Sequence, residues 1–363
     1  MTTSSRIKDL EQTAQKYKAD DYIAIDGNLE GTRKILVTDL YKERFEKIES
    51  VVKNKIFKPT FGMNTYWAYV NASNSQSIGG NNVARMKEQI DFWETSHIRD
   101  IAVPLQCSRY NNTIYCAMDF DKLMEVDTYA SDKGVKITAL KIYLQQFSYT
   151  NDINAMTVDV FKSEYKKMIN KVINLAKSMC HVDTISILNE ANSVLKDASY
   201  TPFIKECLQL IKSNGFKAGI SHAGIYNAVG VPDEVHSACD VINLNEYIAI
   251  SAKGINTTIE DGIKGFQGSN LLGKISYLIN KFPDKEFIIS ECGCQDYAPA
   301  LLYPSAWSWG TSETHEGRIQ NIYLIGLMEY FKNCTTISKV YWWYGFEDEV
   351  LKETAIKYLG GNE

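Results

Sequence analysis

The sequence predicts an α/β fold, a (β/α)8 TIM barrel that carries a short N-terminal helical and extended appendage. Three observations predict it. From Phe57 onward, short apolar runs alternate with amphipathic stretches, the pattern of a parallel sheet covered by helices. Eight such runs fit into about 300 residues, which suits one closed barrel. No Gly-x-Gly-x-x-Gly turn follows the first run, so the main signal for an open dinucleotide-binding sheet is missing.

The elements follow in order. Residues 1–56 form the appendage and residues 57–363 the barrel. The appendage is rich in charge and contains no Trp or Cys. Its two apolar stripes, Ile7-Leu10-Ala14-Tyr17 and Tyr41-Phe45-Ile48-Val52, step by three and four, a spacing that suits a brief coiled-coil seam or a helix lying on the barrel. Between them Asp21-Tyr22-Ile23-Ala24-Ile25-Asp26-Gly27 reads as a short strand ending in a turn. The eight barrel strands are expected at Thr60–Thr65, Asp100–Leu105, Val135–Leu144, Thr184–Leu188, Lys217–Ser221, Val241–Asn245, Glu286–Ser290 and Lys339–Tyr344. Helices are expected at Asn81–Thr95, Phe120–Lys133, Val160–Met179, Tyr200–Ser213, Leu271–Lys281 and Glu313–Lys332. The third of these lines up Phe161, Tyr165, Met168, Val172 and Ala176 on one face, with Thr157 upstream as its cap. The loops after strands two, six and seven are long, and long βα loops belong to the catalytic face of a barrel.

Composition narrows the function classes. The 363 residues are 45% hydrophobic and 12% aromatic, enough for a large core. The net charge of −5 comes from acids and bases mixed along the chain, with no Lys/Arg block to follow a phosphate backbone, so nucleic acid is excluded as a partner. Twenty-two Tyr and six Trp offer faces that stack on sugar rings, although most are expected to fill the core. Neither an apolar signal-peptide core at the N-terminus nor a run of about 18 apolar residues is found, so no Sec export and no membrane span are expected. The location is left between the cytoplasm and a phage virion. The eight cysteines lack Cys-x-x-Cys spacing and most are expected as reduced core residues, with Cys107 and Cys116 as an alternative clip across a loop. Five His scattered singly give no metal cluster, and no cofactor is expected.

Active groups in such a barrel project from the C-terminal ends of strands. Strand four runs Thr184-Ile185-Ser186-Ile187-Leu188 into Asn189-Glu190-Ala191-Asn192, and strand seven runs Phe287-Ile288-Ile289-Ser290 into Glu291-Cys292-Gly293. Two carboxyls at opposite strand ends suit glycoside cleavage, which needs one protonated group to release the leaving oxygen and one ionised group to attack the anomeric carbon, roughly 5–5.5 Å apart for retention. Taken alone, Asn189-Glu190 equally suits a helix cap. Glu246, after strand six, is a competing carboxylate and is otherwise a hydrogen-bonding neighbour.

Asn189-Glu190, Glu291 and Trp342-Trp343 at strand eight resemble the clan A, or 4/7, superfamily of retaining barrel glycosidases, over roughly Phe57 to Leu359. The resemblance implies that Glu190 is the acid/base and Glu291 the nucleophile. It implies that Asn189 bonds a sugar hydroxyl and that Trp343, or else Trp342, floors the subsite at the scissile bond. Tyr247 matches the aromatic partner of the nucleophile, and His222 after strand five is a looser match that also suits a structural histidine. Trp67, Trp307 and Trp309 stand in or beside βα loops as sugar platforms or loop packing, with Trp307 favoured because it follows strand seven. The implied partner is a carbohydrate. One departure stands out: many clan members brace the nucleophile with an Arg inside strand two, whereas this strand reads Asp100-Ile101-Ala102-Val103-Pro104. Arg109 or another group supplies that bond, or the branch does without it. Separately, residues 21–27 followed by Gly31-Thr32-Arg33-Lys34 resemble attachment segments of some phage tail proteins. That likeness implies homo-oligomer formation or virion attachment through residues 1–56, with the barrel a tail-borne depolymerase or a glycan binder.

Overall fold

The computed structural model describes residues 22–27, 31–36, 57–65, 83–110, 112–116, 118–144, 156–250, 253–305, 317–343, 345–346 and 348–360. The chain divides into two compact units, Met1–Lys55 and Ile56–Gly361. In the first, β1 (Tyr22–Gly27) and β2 (Gly31–Leu36) pair antiparallel from Tyr22↔Leu36 to Gly27↔Gly31. Both apolar stripes expected in this segment lie outside the described residues.

The second unit is the barrel. Its eight parallel strands are β3 (Thr60–Asn64), β4 (Asp100–Tyr110), β6 (Lys136–Leu144), β7 (Thr184–Asn189), β8 (Lys217–His222), β9 (Val241–Asn245), β10 (Glu286–Cys292) and β11 (Lys339–Trp342). Each pairs with the next, and β11 returns to β3, which also pairs with β4, so the sheet closes. The outer helices are α1 (Val83–Thr95), α2 (Phe120–Asp132), α3 (Val158–Ser178), α4 (Asn192–Lys196), α5 (Thr201–Ser213), α6 (Ile225–Ala228), α7 (Asp233–Ala238), α8 (Ile259–Gly268), α9 (Leu271–Lys281), α10 (Arg318–Phe331) and α11 (Glu349–Leu359). Thr157 caps α3 as expected, its hydroxyl oxygen accepting from the Val160 N–H.

Two differences from the sequence reading concern strand two and helix α10. β4 runs on to Tyr110 and folds back as β5 (Thr113–Cys116), an antiparallel hairpin in which Cys107 stands directly opposite Cys116. Both are free thiols. The described part of the last long helix begins at Arg318 rather than Glu313; residues 306–316, with Trp307 and Trp309, lie outside the described residues, as does Trp67.

Two apolar clusters fill this unit. A small one inside the barrel consists of Ala102, Ala139, Val241, Ile288 and Tyr341. The large one lies between strands and helices. Tyr341 plugs the inner one against Gly62, where a Cβ would lie 2.7 Å from the Tyr341 ring and 2.6 Å from the Asp100 carbonyl oxygen. Below this plug, Asp100 accepts from Tyr341, Thr138 and Lys339. Above it the interior turns polar, and that upper tier faces the strands' C-terminal ends.

Candidate active site

Strand β7 is buried along its whole length and ends in a sharp turn. Leu188 (φ 52°) and Glu190 (φ 58°) both adopt the left-handed conformation, which side chains resist and which therefore needs support from neighbours. Support is present. The Leu188 N–H donates to the Tyr165 hydroxyl at 2.9 Å, and the Glu190 N–H to the Ser221 carbonyl at 3.0 Å. Across the barrel, β10 shifts register between Ile289 and Glu291, a bulge that re-aims the side chain leaving the strand.

The two glutamates meet different partners. Glu291, 7% exposed, accepts from Lys141 Nζ at 2.7 Å and Asn189 Nδ2 at 3.5 Å on one oxygen, and from the Tyr247 hydroxyl at 3.2 Å on the other. Glu190 accepts from Asn245 Nδ2 at 2.7 Å. Asn245 Oδ1 in turn accepts from Ser290 Oγ at 2.6 Å and from Lys141 Nζ at 3.5 Å. A short bridge, Glu190 to Asn245 to Lys141 to Glu291, thus joins the two carboxylates across the mouth. Burial, then repulsion from Glu291, raises the Glu190 carboxyl above its ordinary range, while Asn245 and Lys141 pull the other way. The arrangement can hold one carboxyl protonated beside one ionised carboxylate. Two buried amide oxygens, Asn189 Oδ1 and Asn64 Oδ1, have no donor among the described residues, and buried acceptors of this kind suit a hydroxyl-rich ligand.

The structure brings Glu190, Glu291, Asn189 and Tyr247 together, and Trp343 packs edge-on to Tyr247 with ring centroids 6.0 Å apart. Two expected site residues fall elsewhere. Neighbouring residues in a strand face opposite sides of the sheet, and a Cβ at Gly219 would lie 2.4 Å from Ser186 Oγ and 3.0 Å from Asn243 Nδ2, so Gly219 and Ser221 face the barrel interior. His222 therefore faces the helices, fully buried, with its Nε2 3.2 Å from His236 Nε2. By the same alternation Tyr341 points inward and Trp342 outward, where it is fully buried against Tyr323 and Phe346. Neither offers a surface to a ligand. Glu246 turns its carboxylate to the Ile225 N–H at the start of α6, and burial raises it.

Sequence reasoning missed Lys141, Asn245 and Ser290. Lys141 had a signal: it is the one charged residue in the apolar interior of Ile137–Leu144, and a lysine there needs a counter-charge. Among the described residues the cation beside Glu291 is this lysine on strand three rather than an arginine on strand two. The side chain of Arg109 is outside the described residues.

No protein-family model matches the chain, and no curated protein does. Solved structures do. A GH113 β-1,4-mannanase complex aligns with a TM-score of 0.60 at 16% identity, covering 85% of this chain and 99% of that one. A GH113 β-mannanase from Alicyclobacillus acidocaldarius aligns at 0.56 with 10% identity, over 84% of this chain and 97% of that one. A GH2 β-galacturonidase from Eisenbergiella tayi bound to galacturonate aligns at 0.54 with 14% identity, over 86% of this chain and 52% of that one. At such identities the likeness is one of fold, and the fold is the (β/α)8 barrel.

Proposed function

We propose that this chain is a retaining glycoside hydrolase acting on an oligo- or polysaccharide. The observation that carries the reading is the unequal pair at the mouth: Glu291 beside a buried lysine, and Glu190 half-buried with its carboxyl raised. Opposed environments of this kind divide two carboxyls into an ionised nucleophile and a protonated acid. Glu291 attacks the anomeric carbon while Glu190 protonates the departing oxygen. Water, deprotonated by Glu190, then releases a sugar of retained configuration. Asn189, whose carbonyl oxygen has no donor among the described residues, receives a sugar hydroxyl, and Trp343 beside Tyr247 floors the cleavage subsite. No step calls for a metal or an organic cofactor.

Neighbours that act on β-mannan make β-1,4-mannan and 4-nitrophenyl β-mannoside the first probes, within a panel of other aryl glycosides and bacterial polysaccharides. Glu291→Ala should abolish turnover of whichever probe is cleaved, and added azide should restore it as a glycosyl azide of inverted configuration. Turnover near the wild-type rate in Glu291→Ala would remove the nucleophile and the reading with it.

A further inference from the structure

A lysine ammonium is seldom buried unless a carboxylate compensates it. Lys141 is 1% exposed, and among the described residues its ion pair is with Glu291. Glu190 receives a neutral amide, that of Asn245, in the corresponding place. Among the described residues the other groups that bond the pair are neutral, the Tyr247 hydroxyl after β9 and the Asn189 amide on β7, and the Ser290 hydroxyl on β10 reaches them through Asn245. The thiol of Cys292, the residue after Glu291, is turned away to the Tyr341 carbonyl oxygen. Among the described residues one cation therefore sets the electrostatic difference between two otherwise similar acids.

We propose that Lys141 is the positioning residue that assigns the proton within the pair, keeping Glu291 as the carboxylate and leaving the proton on Glu190, and that its charge then serves both halves of the reaction. The proposal rests on the glycosidase reading for its kinetic part and on geometry alone for its proton assignment. In the first half a Glu291 oxygen forms a bond to the anomeric carbon. The bond to the leaving oxygen breaks with its electron pair going to that oxygen, which takes the proton of Glu190. Glu291 is now a neutral ester and Lys141 has lost its partner. Its positive charge, which already lowers Glu190, is no longer offset by a neighbouring carboxylate, so it favours the ionised Glu190 that must act as base. In the second half water bonds to the anomeric carbon and gives its proton to Glu190. The ester C–O bond breaks with its electron pair returning to Glu291, a departure that a cation 2.7 Å from the leaving carboxylate assists.

Removing the charge should therefore harm the second half more than the first. Lys141→Gln keeps a hydrogen-bond donor and loses the charge, Lys141→Met loses both, and Lys141→Arg keeps both. The first measurement needs no substrate: side-chain ¹³C-glutamate NMR titration of the full chain, with Glu190→Gln and Glu291→Gln assigning the two carboxyl resonances. In Lys141→Gln the Glu291 midpoint should rise by about one pH unit or more, tenfold in proton affinity, while Lys141→Arg stays near the wild type. If Lys141→Met does not fold, Lys141→Gln is read alone. The second measurement is pre-steady-state cleavage of the 2,4-dinitrophenyl glycoside of the sugar accepted in the panel. Lys141→Gln should show a burst of dinitrophenol followed by a steady state slower than that of the wild type, with kcat and KM falling together as the glycosyl-enzyme accumulates. An unchanged Glu291 midpoint overturns the proton assignment, and a kcat loss without a burst overturns the role in the second half. Should Glu291→Ala remain active, the glycosidase reading falls, while the titration still decides what Lys141 does.

Discussion

Mild acid should destabilise this barrel through two histidines packed on its outer wall. His222 and His236 are fully buried with their Nε2 atoms 3.2 Å apart, so one ring must donate and the other accept, which requires at least one neutral imidazole. Burial, then the charge of His236 and of Lys196, holds His222 well below the usual histidine range. Burial brings His236 from 6.5 to about 4, against the opposing pull of Asp233. Because the folded value is depressed, the unfolded chain takes up protons first. The stability is fully present above about pH 6.5 and is lost as pH falls from there toward about 4. For His236 the whole shift is worth about 3 kcal/mol, of which about 2 kcal/mol is gone by pH 5. His222 acts in the same direction. The raised carboxyls of Glu190 and Glu246 act in the opposite one, so a comparison is needed that leaves them in place. Urea unfolding of the wild type and of His222→Gln/His236→Gln at about pH 7.5 and about pH 5 provides it. The wild type should lose about 2 kcal/mol or more beyond what the double variant loses. Equal losses would refute the argument that these rings must stay neutral.

Two further outcomes follow from the turn that carries Glu190 and from the hairpin beyond strand β4. Tyr165→Phe removes the acceptor of the Leu188 N–H, so it should cost about 1–3 kcal/mol in urea unfolding and lower kcat more than it raises KM, because the left-handed turn at Glu190 loosens; an unchanged kcat would show that Tyr165 does not hold the acid in place. Cys107 and Cys116 face each other across an antiparallel ladder, where opposed Cα atoms stand at distances a disulfide accepts. The neighbouring Cys107 thiol lowers Cys116, while Cys116 and burial raise Cys107, which favours Cys116 as the attacking thiolate. With glutathione disulfide it should form a mixed disulfide that Cys107 resolves, releasing two glutathione molecules and leaving the protein two hydrogens lighter by mass spectrometry. Two thiols that still alkylate after that treatment would exclude the bond.

The barrel was readable because both faces of its strands are apolar and each run is separated by a helical stretch, a pattern that survives errors of a residue or two at element ends. The same property hid which way each residue points. In strands buried on both sides, inward and outward positions are equally apolar, so nothing in Ile220-Ser221-His222 or Tyr341-Trp342-Trp343 told that His222 and Trp342 face the helices. Helix α8 escaped for another reason. Gly262, Gly265 and Gly268 weaken its intrinsic preference, yet a Cβ at Gly262 would lie 2.8 Å from the Ile322 carbonyl oxygen on α10, so close helix contact outweighs propensity there. Glu190 and Glu291 were found because they stand where an apolar run stops. Asn245 and Ser290 were not, since each is the uncharged last residue of its expected strand and acts on a distant partner, Asn245 on Glu190 and Ser290 on Asn245.

The place of Lys141 has a further explanation in strand pairing, and with it a last prediction. Pro104 on β4 and Lys141 on β6 are register partners in the parallel ladder, so they stand side by side at one height of the barrel and share a face. The pairing of β3 with β4 ends at Ala102, so Pro104 lies beyond the point where strand one would need its missing N–H, and a proline is tolerated there. Its ring brings no hydrogen-bond donor to the interior. This chain meets the charge of Glu291 from strand three, one strand further on than Pro104. If height and charge are what matter, rather than the strand of origin, the cation should be transferable. Pro104→Arg in a Lys141→Ala background frees the volume of the lysine side chain and returns a guanidinium to the same tier. It should recover at least tenfold of the kcat lost in Lys141→Ala, about 1.4 kcal/mol of transition-state stabilisation, and bring the acid limb of the rate profile back toward the wild type. Lys141→Ala with Pro104→Leu serves as the control for packing. If the arginine and leucine backgrounds are equally impaired while both remain folded by circular dichroism, the cation acts only from strand three, through contacts with Asn245 and Ser290 that an arginine on strand two does not reproduce.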